Sequence, residues 1–343
     1  MMMQTKTAGP GSFSGFDLSS VPSPCFVTDM ARLEDNLRLL NAVTEASGAH
    51  ILTALKAFSL WSTAPLVSRY LAGACASGLY EARLARAHYS GLLSCFAPAY
   101  KIDEMDELAG LCDHIIFNTP QQISRFAGQA SARGAELGLR VNPCLPQGEV
   151  EKYDPAAPRS RLGTPISQLA DHHFEQISGL HIHSLCEQGF SKLENVISVI
   201  TPLLDRANGR LSWLNLGGGH MITSPDYDRE ALINCLCDLK KRYDLDIYLE
   251  PGTAIAFDAG ILVGEVMDIM ENDGPIAILD ISATCHMPDV LEAPYRPGLL
   301  AEADTASGVL VRLGGPSCLA GDVIGDYWFE HLPVPGQRLA FLD

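Results

Sequence analysis

The sequence predicts an α/β protein in which a (β/α)8 barrel is joined to a mainly β domain. Three observations carry this. Eight short apolar runs alternate with longer amphipathic ones between Pro24 and Phe257, the pattern of parallel strands linked by helices. The C-terminal ends of those runs carry ionisable residues or glycines, as expected where barrel strands open onto a site. Beyond Phe257 the apolar runs continue without long helical stretches between them. At 343 residues the chain is long enough for one large barrel and a smaller companion.

In order, the expected barrel strands are His50–Lys56, Leu71–Ser77, Leu92–Ala97, His114–Asn118, Glu136–Asn142, Gly179–Ser184, Leu211–Leu216 and Asp246–Glu250. Helical patterns cover Leu60–Tyr70, Leu79–His88, Pro120–Arg133 and Tyr227–Tyr243. A helix over Ala31–Ser47 precedes the first strand, with Asp29 placed to cap it. The second domain should hold strands at Ile261–Met270, Ile276–Ile281, Gly308–Leu313 and Arg338–Leu342, and Pro22–Thr28 can add another. The expected boundaries are residues 1–28 for an N-terminal segment joining the β domain, 29–260 for the barrel and 261–343 for the β domain.

A net charge of −17 argues against nucleic acid or an anionic membrane as main partner and suits a cationic small molecule. Acidity that merely keeps a protein in solution is the plainer reading of the same number. The ten cysteines are scattered, with no CxxC pair, and read as reduced thiols. The first residues lack a signal-peptide pattern, and no apolar run reaches the ~18 residues of a membrane helix. The expected location is cytoplasmic.

Several strand ends carry candidate chemistry. Lys56 closes an apolar run, where partial burial lowers an amine's pKa and frees it to form an imine; a lysine stem lying along apolar surface is the alternative. Gly217, Gly218 and Gly219 can close their N–H groups around a phosphate or make a plain tight turn. They do not form the GxGxxG of dinucleotide sites. His181 and His183 share one strand face. They can ligate a metal with Glu250, serve as structural histidines, or let His183 stack on an aromatic cofactor; no metal is the reading adopted. Glu250 can pair with a protonated pyridine nitrogen. Cys318, in a Gly-rich stretch, can deliver a proton to a carbanion or be an ordinary buried thiol.

Together these pieces resemble the fold-type III pyridoxal-phosphate decarboxylases, relatives of the ornithine and diaminopimelate enzymes with a barrel of the alanine-racemase type. The motifs YDPAAPRSRLG, GLHIHSLCEQ, LNLGGGHMIT, LEPGTA, SATCHMPDVLEAPYRP and GGPSCLAGDVIGDY carry the resemblance. The last two point to the branch that decarboxylates carboxynorspermidine or carboxyspermidine in polyamine biosynthesis. Alternatives are another decarboxylase or racemase of this fold, diaminopimelate-like, or a cofactor-binding protein without turnover.

The resemblance implies pyridoxal 5'-phosphate held covalently by Lys56. His183 would stack on its ring, Glu250 would bind its nitrogen, and Gly217, Gly218, Gly219 and Gly252 would border its phosphate. Arg140 would support this side of the barrel. It also implies a homodimer with shared active sites, in which Cys318 serves the partner's site as proton donor and Arg161 pairs with Asp322. His286, Asp289, Glu292, Arg296 and Asp322 would recognise the cationic, carboxylated polyamine. Two departures stand out: Thr253 follows the EPG turn where relatives carry arginine or glutamate, and the chain ends at Asp343, before a tyrosine-bearing segment that the family adds. The β domain therefore reads as shortened.

Overall fold

The computed structural model describes residues 3, 4, 9–148, 150–292, 295–305 and 308–342. The chain divides into two compact units, Glu34–Ala256 and a unit made of Met1–Leu33 with Phe257–Asp343.

The larger unit is a closed barrel of eight parallel strands. Going round, His114–Phe117, Leu92–Phe96, Gly73–Ala76, His50–Ala54, Asp246–Leu249, Trp213–Asn215, Gly179–His181 and Glu136–Asn142 pair in turn, and the last pairs back to the first. All eight expected strands are present. Most are shorter than expected at the C-terminal end, because the chain turns there into the rim. Lys56 therefore lies in a turn two residues beyond its strand.

Strand register decides which side chains share the interior. Arg140 pairs with His181, His181 with Asn215, and Asn215 with Tyr248. Paired residues on parallel neighbours face the same way, so these four form one inward layer. The next inward layer toward the rim holds Asn142, His183, Gly217 and Glu250. Below, Trp213 fills the interior with Leu52, Ile116 and Tyr248. Its bulk explains two glycines: a Cβ on Gly179 would lie 1.9 Å from the indole, and one on Gly138 would lie 2.4 Å from it.

Outer helices include Ala64–Tyr70, Leu79–His88, Pro120–Ser131 and Arg229–Tyr243, together with Met105–Leu111 and Phe190–Ala207. Asp29 caps the helix Met30–Ser47, its Oδ1 accepting from the Ala31 and Arg32 N–H groups at 2.9 and 3.0 Å. None of the described helices is long and apolar enough to cross a membrane.

The smaller unit is a sheet. Gly298–Leu299, Arg338–Leu342, Gly260–Glu271, Pro275–Leu279, Val309–Gly314 and Val323–Phe329 lie side by side, and Cys25–Thr28 pairs with the start of the long strand. Alternation along Gly260–Glu271 serves two cores. Ile261 and Val263 pack with Phe13 and Ala340, while Leu262 and Val266 pack with Leu279, Val311, Tyr327 and Phe341. The strand Val323–Phe329 lies outside the expected strands, since its glycine and aspartate dilute the alternation.

Candidate active site

A cavity of about 380 Å³ opens at the C-terminal ends of the barrel strands, lined by Lys56, Phe96, Arg140, His183, Gly219 and Glu250 among others. The side chain of Lys56 is exposed into it and has no hydrogen-bond or ion-pair partner among the described residues. An unengaged amine at a barrel mouth is available to react with an aldehyde.

Glu250 is 5% exposed yet charged. Burial pushes its carboxyl up, but the charge that His181 carries once protonated at acid pH, the hydrogen bonds from His181 and Asn215, and the Lys56 charge outweigh this and bring it down to about 2. Its Oε2 lies 3.1 Å from His181 Nε2, and its Oε1 accepts from Asn215 Nδ2 at 2.7 Å. His181 and Glu250 stand out in the sequence as site candidates, and Asn215 does not. The available signal was Asn215's place two residues before Gly217, on the same strand face.

The glycine turn is more committed than its sequence suggests. The Gly217 N–H donates to Asn215 Oδ1 at 2.8 Å and the Gly218 N–H to His183 Nδ1 at 3.1 Å. Only the Gly219 N–H is left without an internal acceptor among the described residues. Side chains are excluded here. A Cβ on Gly218 would lie 2.2 Å from the Glu250 carbonyl oxygen, and Gly219 has φ +81° with its Cβ position 2.2 Å from the Leu185 oxygen. Gly252 leaves similar room, its Cβ position falling 2.3 Å from Ala57 Cβ.

Burial, then the charges of Lys56 and Arg140, hold His183 well below its ordinary value, so its ring is neutral. Arg140 is 3% exposed. Its Nη2 donates to the His183 carbonyl at 2.7 Å and its guanidinium sits 4.4 Å from the Phe96 ring centroid. Burial lowers it to about 10. His181, His183 and Glu250 place ligand-capable atoms within 4.8 Å, which is the metal alternative in structural form. Hydrogen bonds already tie these groups to one another and to the glycine turn.

The remaining candidates lie in the sheet unit. Cys318 is exposed in the turn between Val309–Gly314 and Val323–Phe329. Asp322 is 4% exposed and turned inward. It accepts from Ser282 Oγ at 2.8 and 2.9 Å, the Ala283 N–H at 2.9 Å and Ser317 Oγ at 2.5 Å. Ser282 in turn donates its N–H to His286 Nδ1 at 3.1 Å, so Asp322 and His286 share an anchor. Arg296 is engaged as well. It ion-pairs with Glu302, donates to the Asp326 carbonyl at 3.0 Å and lies 3.9 Å from the Tyr327 ring centroid. Asp289 and Glu292 are exposed at a short helical turn. Arg161 is exposed on the barrel unit.

Pyridoxal phosphate needs an amine for its aldehyde, N–H groups in a side-chain-free turn for its phosphate, and an ionised carboxylate for its ring nitrogen. Lys56, Gly219 and Glu250 meet these needs within one cavity, so the residues present fit that cofactor.

Comparison with known proteins agrees. Residues 25–343 match the family described as pyridoxal-dependent decarboxylase, C-terminal sheet domain. A carboxyaminopropylagmatine decarboxylase of Synechocystis sp. is 38% identical over 95% of this chain and 85% of its own length. A carboxynorspermidine/carboxyspermidine decarboxylase of Campylobacter jejuni is 37% identical over 94% of this chain and 87% of its own. The crystal structure of carboxynorspermidine decarboxylase from Campylobacter jejuni, complexed with norspermidine, superposes with a TM-score of 0.84 at 35% identity, covering 94% of this chain and 88% of that one. With a barrel, a sheet domain and a cavity that fits the cofactor, the chain belongs to the pyridoxal-dependent decarboxylases.

Proposed function

We propose that this decarboxylase acts on a polyamine bearing a carboxylated aminopropyl head, with carboxynorspermidine or carboxyspermidine as substrate. The observation that carries the assignment of the site is the unpaired Lys56 amine in the same cavity as an ionised Glu250. The substrate class rests on the relatives named above, and the charge of −17 suits a cationic arm. One relative's name specifies carboxyaminopropylagmatine, which favours a second reading with the same head and a guanidinium arm.

Bound pyridoxal phosphate supplies an electron sink for the pair left when carbon dioxide departs. Lys56 would hold the cofactor through its aldehyde. His183, kept neutral, would flank the ring without adding charge, while Arg140 fixes its backbone. Glu250 would accept a hydrogen bond from the ring nitrogen. The turn at Gly217–Gly219, with Gly252 beside it, would border the phosphate, with the Gly219 N–H free to donate to it.

In a homodimer with shared sites, Cys318 of one subunit holds the proton that the other's product carbon receives. Asp289 and Glu292 neutralise the arm. Asp322, His286 and Arg296 shape that surface through the contacts they make within their own unit; the Asp322 carboxylate, already held by Ser282, Ala283 and Ser317, is not left open for the expected pairing with Arg161 across the dimer.

Carbon dioxide release from carboxynorspermidine, carboxyspermidine, carboxyaminopropylagmatine and diaminopimelate tests the substrate. Release from diaminopimelate alone would sink the proposal. For shared sites, mixed Lys56→Ala and Cys318→Ala subunits should regain roughly a quarter of the activity. No recovery after proven subunit exchange would refute them.

A further inference from the structure

Glu250 is faced by Lys56, Cys75, His114, Arg140 and His181; the His181 ring and the Asn215 amide donate to it, and the Cys75 thiol lies within hydrogen-bonding reach of it. Each carboxylate oxygen takes one of the two N–H donors. Arg140, the nearest permanent cation in this layer, turns instead to the His183 carbonyl and the Phe96 face.

The protonation of His181 follows from its surroundings. Its Nε2 meets a carboxylate, which can only accept. Its Nδ1 is buried without a partner, so a second proton there would be stranded. Burial favours the neutral ring. His181 is therefore the neutral tautomer carrying its hydrogen on Nε2. Asn215 is fixed too: its Oδ1 accepts the Gly217 N–H at 2.8 Å, which turns Nδ2 toward Glu250. Register places the pair, since Asn215 and His181 are direct partners on adjacent strands.

We propose that His181 and Asn215 are positioning residues: as two neutral N–H donors they hold the Glu250 carboxylate ionised and aimed into the cavity. A permanent cation at either place would cancel the charge that a protonated pyridine nitrogen seeks. Neutral donors stabilise the carboxylate and leave its net charge available. Asn215 also joins the carboxylate to the glycine turn, so the groups at the two ends of the cofactor share one side chain. This inference rests on the pyridoxal-phosphate reading of the site.

The test uses the full chain, with and without cofactor, labelled with 15N-histidine and 13C-glutamate. In the wild type, His181 should stay a neutral Nε2–H ring and Glu250 ionised from about pH 8 down to about 5.5. His181→Phe, and Asn215→Asp, which keeps the acceptor for Gly217, should each raise the Glu250 midpoint by ~2 pH units. His181→Gln, which restores an N–H donor, should recover part of that shift. A His181 protonated on Nδ1 or on both nitrogens, or a Glu250 midpoint unmoved in both variants, would overturn the proposal. The wild-type tautomer decides the matter if the variants do not fold. Because these signals are read without turnover, failure of the substrate assignment leaves them intact.

Discussion

The two units each bury a carboxylate, and they hold it for different ends. Glu250 in the barrel is met by a neutral imidazole and an amide, one to each oxygen, and lines an open cavity. Asp322 in the sheet unit is enclosed by Ser282, Ala283 and Ser317 and turned into its own fold. Both are held below their ordinary values against the upward push of burial. The difference is what remains exposed. The barrel leaves a carboxylate and an amine unspent in one cavity, whereas the sheet unit spends its carboxylate on shaping a turn.

Removing the unspent amine breaks this contrast most completely. Lys56→Ala should abolish the long-wavelength absorbance of a protein-bound imine and lower kcat/KM on the order of 10³-fold or more, the scale of losing a nucleophile. Compared as cofactor-free proteins, variant and wild type should melt at nearly the same temperature, because Lys56 makes no hydrogen bond or ion pair among the described residues. Spectra and melting curves on one preparation check both halves.

Glu250→Gln comes next. Glu250 falls to about 2 in the fold, below its unfolded value of ~4.3. Its contribution is thus fully present above about pH 4.3 and is lost as pH falls through about 2, worth on the order of 3 kcal/mol. The variant's stability should be lower at neutral pH and nearly flat across that window, where the wild type declines. Denaturant titrations at several acid pH values read the two slopes.

These two predictions rest on parts of unequal legibility. Lys56, His183 and Glu250 stood at the ends of recognisable strands, so periodicity alone placed them at the rim. Asn215 was hidden. Its place two residues before Gly217 sets it on the turn's strand face, but only the parallel register sets it beside His181. The glycine triplet was legible as a turn, but two of its three N–H groups go to Asn215 and His183, partners that only tertiary packing supplies. In the sheet unit, Asp322 and Arg296 looked like groups offered to a ligand. Their partners Ser282 and Glu302 lie 40 and 6 residues away, and only the folded sheet brings them within reach. The strand Val323–Phe329 was missed for a related reason: its register with Val309–Gly314, rather than its own composition, makes it a strand.

Asp322→Ala should then act on the fold alone. It leaves the Ser282 and Ala283 donors buried and unpaired, at ~1–3 kcal/mol for each group that water cannot reach, while the exposed Ser317 can turn to solvent. A loss of a few kcal/mol in denaturant titration is expected, with Asp322→Asn milder because one acceptor oxygen survives. The cofactor absorbance of the folded protein should persist, unlike that of Lys56→Ala.

The smallest effect belongs to a charge pair that is neither buried nor unspent. Arg312 grips Asp326 through Nε and Nη2 at 2.8 and 3.0 Å across neighbouring sheet strands, but the two side chains are 53% and 44% exposed. Solvent screens such a pair, so a double-mutant cycle of Arg312→Ala and Asp326→Ala should give a coupling of about 0.2–1 kcal/mol, shrinking further in added salt. Glu250 and its donors should show a larger coupling that salt barely changes, because burial keeps counter-ions away. If the Arg312–Asp326 coupling instead matched that of Glu250 with His181, charge pairing and not burial would govern both units.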